Sequence, residues 1–371
     1  MRRWVALRLV GAGVMTALLL ATPAAVHAHE KWFTDARPYP VRLELLISLP
    51  VALAVLASAG AVGLLLLARR VVGGDNLFPR VGFLRRFDPE ARVVMAIQTA
   101  ITLIYLAVNL RVLAPNQIAP AGPLGYGLAA VELVVAFSFI SGVLLRAGAV
   151  ALLALVASVG VLYGPFALLE SSIMVGVAAY LFLMGRGLVD PQAAAAASPR
   201  WAEYREAAPP LLRVLAGVTI AALAFTEKLL NPGLGLAFLR HYPQFNVPRL
   251  LGLAWFTDER YIYAAGSVEL IIGVALISGV LPRLVIIGMF VPFNLPVPFL
   301  PATEMIGHLP IFALMYVLLF HLPSAHSAAE APTHLPPPRP SGPRLAAPTP
   351  SVVPNPSRRA LRPRAPRSPR G

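Results

Sequence analysis

Residues 265–283 read AGSVELIIGVALISGVLPR, an apolar stretch of membrane length with a single acid, Glu269, near its start. Residues 129–146 read AAVELVVAFSFISGVLLR. Both carry Val-Glu-Leu, and both end in Ser-Gly-Val-Leu-x-Arg. Glu132 and Glu269 are 137 residues apart, as are Ser141 and Ser278, and Arg146 and Arg283. A shared pattern of this length, with an acid in register, points to an internal duplication inside a helical membrane protein.

Composition agrees with that class. Of the 371 residues, 57% are hydrophobic and 13% charged, against about 25% charged in a soluble domain. Apolar runs of about 18 residues recur, which suits membrane helices rather than the short alternating strands of a barrel. The sequence contains no cysteine. Thiol catalysis, disulfide exchange and cysteine-held iron–sulfur clusters therefore have no ligands or nucleophiles in it. The net charge of +14 is more useful as a topology signal than as a nucleic-acid signal, because no folded module surrounds the arginines.

Residues 1–28 have the charged start, apolar core and small residues before a cut after Ala28 that mark a secretory signal. The same run is long enough to be an uncleaved first helix. Residues 29–91 hold an extracytoplasmic start, a leading helix near 43–68 and an arginine-rich loop placed in the cytoplasm by the positive-inside rule. The start, HEKWFTDARPYPVR, reads as an ordinary solvated segment with aromatics suited to a membrane surface. Cleavage after Ala28 would leave the His29 amine and imidazole available to a metal such as copper.

Two sets of four helices follow. Residues 92–185 form the first and residues 211–322 the second, joined by a cytoplasmic linker at 186–210. Helices are expected near 92–113, 124–145, 147–164 and 168–185, then near 211–230, 262–281, 283–300 and 304–322. Four spans per copy is an even number, so the copies share one orientation and the repeat is parallel. The expected fold is all-α: a polytopic bundle of two parallel four-helix repeats plus one leading helix. The second set has a longer outer loop, 231–260, expected to pack on the bundle. Ser141-Gly142 and Ser278-Gly279 are expected to permit close helix packing. Residues 323–371 are rich in proline and carry eight arginines. They are expected to form a disordered, basic cytoplasmic tail that meets anionic lipid.

Ionisable residues within membrane segments are costly unless paired or hydrated. The strongest constellation is Glu227, Lys228, Glu269, Glu304 and His308, all in the outer half of the second set. Glu304 and His308 share a helix face. Glu227, Glu269, Glu304 and His308 are the candidate reactive groups. Lys228, Glu132 and Glu170 are candidate ligand-holding groups, the last two matching Glu269 and Glu304 in the first set. The cluster suits a proton relay, a polar headgroup site or a quinone site. Equally, acids near the membrane surface serve as helix braces or loop partners.

The four-helix unit resembles the DoxX/DoxD-like family of bacterial membrane proteins. The resemblance rests on FTEKLLNP at 225–232 and GSVELIIG at 266–273. Residues 211–322 carry it best, and 92–185 resemble a degenerate copy. The resemblance implies a bacterial inner-membrane protein linked to quinone-dependent sulfur or thiol redox processes, with Glu227, Lys228 and Glu269 at the recurrent polar positions. It implies a redox protein partner and quinone as the cofactor. Parallel repeats with intramembrane acids fit a small-solute or ion transporter as well. A structural or assembly protein is a third reading.

Overall fold

In the computed structural model the described residues are 29–72, 87, 90–185, 201, 203–294 and 299–320. The expected signal at 1–28, most of the linker and the basic tail lie outside them.

Long apolar runs without interior breaks form helices because lipid offers the backbone no other hydrogen-bond partner. In order these are α1 (Glu30–Phe33), α2 (Leu49–Val72), α3 (Ala91–Val108), α4 (Pro123–Ser141), α5 (Leu145–Tyr163), α6 (Pro165–Glu170), α7 (Ser172–Met184), α8 (Ala208–Leu223), α9 (Pro232–His241), α10 (Val247–Leu250), α11 (Asp258–Ser278), α12 (Pro282–Asn294) and α13 (Ala302–Phe320). Among the described residues seven segments are long and apolar enough to cross a membrane: α2, α3, α4, α5, Arg205–Leu229 containing α8, α11 and α13. They mark a multi-pass membrane protein. α7 and α12 are shorter apolar helices.

Several boundaries depart from expectation. The third helix of the second set is described from Pro282 to Asn294, and residues 299 and 300, expected within it, are not helical. The segment expected as one helix from 168 breaks at Ser171, so Glu170 ends α6 instead of opening a span. The link after α3 is not plain loop. Arg111–Val112 (β1) and Ala114–Ile118 (β2) pair antiparallel, with Leu110 and Leu113 at φ 50° and 58°. That left-handed region costs a branched side chain roughly 1–2 kcal/mol.

The helices pack in a regular order. α3, α4, α5 and α7 are neighbours in sequence order, and α7 returns to α3. α8, α11, α12 and α13 follow the same order, and α13 returns to α8. Between the sets, α7 packs on α8 and α13 on α3. Each set therefore offers its first and last helix to the other. α2 packs on α11.

The two Ser-Gly-Val-Leu stretches are helix ends and not packing faces, which corrects the expectation for them. Gly142 (φ 79°) and Gly279 (φ 69°) are left-handed caps of α4 and α11. Leu144 (φ 50°) and Leu281 (φ 47°) follow in the same conformation. Ser141 Oγ and Ser278 Oγ each accept a bond from the amide two residues on. At Gly279 a Cβ would meet the Arg213 guanidinium of α8 at 2.5 Å, but the close approach of backbones lies elsewhere. A Cβ on Gly217 of α8 would sit 2.6 Å from the Gly273 carbonyl oxygen of α11, and one on Gly273 2.8 Å from that of Gly217. Backbones touching at this crossing bring the next turns of both helices together.

Gly273→Leu should force α8 and α11 apart. The expected cost is about 1–3 kcal/mol of overpacking, at the upper end because backbone and not side chain blocks the space. Thermal unfolding in detergent, with Gly288→Leu as the control in open space, measures it.

Candidate functional site

Beyond Leu223 the helix widens to a π turn, Ala224–Leu229, and the Leu230 amide bonds back to Phe225 O at 2.9 Å. The wider i→i+5 turn brings successive side chains somewhat closer in angle than the about 100° of an α-helix. Glu227 and Lys228 are 1% and 2% exposed. Along the same helix pair, two to three turns beyond the glycine crossing, Lys228 lies against α11, where a Cβ on Gly266 would meet Lys228 Cβ at 2.9 Å.

Lys228 Nζ bridges two carboxylates, Glu269 Oε1 at 2.9 Å and Glu30 Oε2 at 2.8 Å. Glu30 comes from the segment read in the sequence as solvated. Residues 29–33 are instead inserted into the bundle. The Glu30 amide donates to Glu227 Oε2 at 3.1 Å. His29 Nδ1 lies 3.7 Å from that same oxygen. Lys31 Nζ pairs with Glu170 and bonds Thr226 Oγ1 at 3.1 Å. Trp32 lies so closely on α13 that a Cβ at Gly307 would collide with its ring. Phe33 packs among Phe238 and Tyr242, so the long loop, folded as α9 and α10, braces the inserted segment. Asn231, which caps α9, also bonds Tyr39 O at 2.9 Å.

α13 contributes Glu304 and His308. The His308 ring stacks on His29 with centroids 4.8 Å apart, and Trp32 and the Phe293 edge enclose it. His308 Nδ1 lies 2.9 Å from the Glu304 carbonyl oxygen and 3.3 Å from Glu304 Oε1. Glu304 is fully buried, and neither carboxyl oxygen has a hydrogen-bond partner. A narrow cavity lined by His29, Ile220, Leu223, Glu269, Phe293, His308 and Ile311 has room for about one water molecule. It lies inside the second set and not between the two sets.

All five residues of the predicted constellation thus share one buried cluster. Glu170, expected as a counterpart within the first set, reaches the same neighbourhood through Lys31 and Thr226. Glu132 joins none of these pairs. One of its oxygens accepts from the Leu113 amide at 2.8 Å, beside the β1–β2 ribbon, and the other is buried without a hydrogen-bond partner. Sequence reasoning missed Glu30, Lys31 and Trp32. A Glu-Lys-Trp triplet beside the start of a polar stretch was the only signal for them.

Burial sets the charge of the inserted residues. Desolvation, then Lys228 and Lys31, lowers the His29 pKa from 6.5 to about 3, so its imidazole is neutral. Desolvation lifts Glu30 from 4.5 to about 8, against the opposing pull of Lys228. These shifts act on docking with opposite signs. His29 binds fewer protons when inserted, so its contribution grows as pH rises from about 3 to 6.5 and is complete above that. Glu30 binds more protons when inserted, so its contribution is full below about 4.5 and is lost as pH rises to about 8. Protection of the Thr34 amide, which bonds Glu30 O, should therefore peak between about pH 4.5 and 6.5 and fall on both sides. Hydrogen exchange corrected for the intrinsic rate reads this directly.

Lys228→Met leaves Glu30 and Glu269 buried without their shared cation. The expected loss is about 3–5 kcal/mol, with faster exchange across residues 29–34, measured by denaturant unfolding and hydrogen exchange on one preparation. Comparison with known proteins adds no relative to this description: no family model, no curated protein and no solved structure matches the chain.

Proposed function

We propose that this chain is a DoxX-like membrane protein of the bacterial inner membrane, built from two parallel copies of one four-helix unit. Its second copy holds a proton-exchanging centre for a quinone-linked step of sulfur or thiol redox metabolism. The observation that carries the reading is the cluster itself. A buried lysine is clamped between two acids, with two further acids and a histidine pair beside a water-sized cavity. Ionisable groups at this density inside a membrane bundle are expensive to keep and serve proton or ion pathways.

The equivalent packing order of the two helix sets, and the matched left-handed turns after α4 and α11, support the duplication. The position of the cavity favours the redox reading over solute transport. A solute permease of parallel repeats needs a path at the interface of the copies, and this cavity lies within the second copy with room for a water. The wall formed by Ile220, Leu223, Phe293 and Ile311 is apolar and suits a quinone ring once the Phe293 side chain turns aside. Electrons would come from a redox partner, with the cluster taking up and returning the protons that quinone reduction and oxidation require.

Extraction and mass spectrometry of the protein purified from membranes tests this. About one quinone per chain is expected, falling several-fold in Glu269→Gln and in His308→Ala that retain the wild-type elution profile. No retained quinone, together with no response to an added soluble analogue, overturns the reading.

A further inference from the structure

We propose that cleavage between Ala28 and His29 completes a copper(II) site, formed by the new His29 α-amine, the His29 imidazole and the His308 imidazole. This goes beyond the quinone reading and does not rest on it.

Three observations converge. First, the two imidazoles lie together with centroids 4.8 Å apart, in a pocket closed by Trp32 and Phe293. Second, the tautomer of His308 is fixed for ligation. A carbonyl oxygen only accepts, so the contact of His308 Nδ1 with Glu304 O at 2.9 Å places the proton on Nδ1 and leaves the Nε2 lone pair for a metal. Metal-binding histidines are oriented in this way, by giving their other N–H to a carbonyl or carboxylate. Third, the pocket carries uncompensated anionic capacity. Glu304 is fully buried, and both its carboxyl oxygens lack a hydrogen-bond partner, with His308 Nδ1 3.3 Å from one of them. Around it, Glu30 and Glu269 share one lysine, Lys228, Glu227 accepts from the Glu30 amide, and Lys31 is engaged by Glu170.

The side chains alone do not finish the site. Among the described residues no three His, Asp or Glu side chains gather at metal-ligand spacing. Hydrolysis supplies the missing donor. Water adds across the Ala28–His29 peptide bond, leaving a carboxyl group on Ala28 and an amine on His29. The amine and Nδ1 of a terminal histidine then close one chelate ring on a single ion, and His308 Nε2 adds the third nitrogen. Three nitrogen donors favour copper(II) among the divalent first-row metals. A dicationic metal also offsets the surplus carboxylates. The Glu227 oxygen 3.7 Å from His29 Nδ1 stands beside the ion as a charge partner.

The test uses the full chain produced in a bacterial membrane, stripped with a chelator and titrated with copper(II). Intact mass should show a mature chain beginning at His29. Metal analysis should give one copper per chain, and electron paramagnetic resonance should show coupling to several nitrogens. His29→Ala and His308→Ala should each weaken binding by more than about 100-fold, since even losing an outer partner of a ligand costs about 10–100-fold. His308→Gln, closer in size, keeps the test open where the alanine variant fails to fold. Ala28→Leu, which blocks the cut and leaves both histidines in place, should lose affinity to a similar degree. A mature chain beginning at another residue overturns the proposal. So do copper binding unchanged by His308→Gln, and binding as tight in uncut Ala28→Leu as in the processed chain.

Discussion

The ammonium of Lys228 is the group on which the arrangement turns. Removing a lysine from water into a helical bundle costs several kcal/mol, and one carboxylate offsets that only with good geometry. Here two carboxylates approach within 2.8 and 2.9 Å, one from α11 and one from a segment outside both helix sets. That division explains why His29–Phe33 lies inside the bundle. Withdrawing it would strip Lys228 of one carboxyl partner and Glu227 of the Glu30 amide. It would also separate Lys31 from Glu170 and uncover the His308 ring. Polar pairing fixes where the segment sits, and Trp32 and Phe33 add the apolar contact that holds it there.

Such a cluster needs backbones to approach closely, and glycine supplies the space at each contact. Gly217 and Gly273 let α8 meet α11, Gly266 receives the Lys228 stem, and Gly307 receives the Trp32 ring. Each of these positions would clash with a single methyl group. The π turn carries Glu227 and Lys228, both buried. Between them these adjacent side chains meet the chain start and α11.

Much of this was legible in the sequence. Lys228, Glu269, Glu304 and His308 stand out because an ionisable residue in an apolar run has no cheap explanation, and all four share one site with Glu227. The nine apolar helices among the described residues follow from run length in the same way. The chain start was not legible. Fourteen residues rich in charge and aromatics look the same whether they lie in water, at the membrane surface or inserted in a bundle, because the deciding partners are some 200 residues away. The pairing of Glu170 with Lys31 was not legible for the same reason. The β1–β2 ribbon escaped because its backbone is shaped by left-handed leucines, which local preference argues against. The Ser-Gly pairs were misread because small residues serve both helix crossings and helix caps, and only φ separates the two uses.

The two acids that first suggested duplication differ in what answers them. Glu132 is answered within its own set, by the Leu113 amide presented on the ribbon. A backbone amide is a fixed neutral donor, and it answers only one of that acid's two oxygens. Glu269 is answered by Lys228, which is itself shared with Glu30. Its partner is therefore charged, and its surroundings depend on a segment from another part of the chain. On the proposed duplication and function, one ancestral acid is answered by a backbone amide in the first copy and by a lysine of the proposed acid–base centre in the second. The difference lies in what surrounds the acids and not in the acids themselves. The ribbon replaces the long braced loop in the first copy, and the inserted chain start is received by the second. The smallest piece able to carry the centre is thus not a four-helix unit alone. It must join residues 29–72 to the second set and keep α6, whose Glu170 holds Lys31 and with it the depth of the inserted segment.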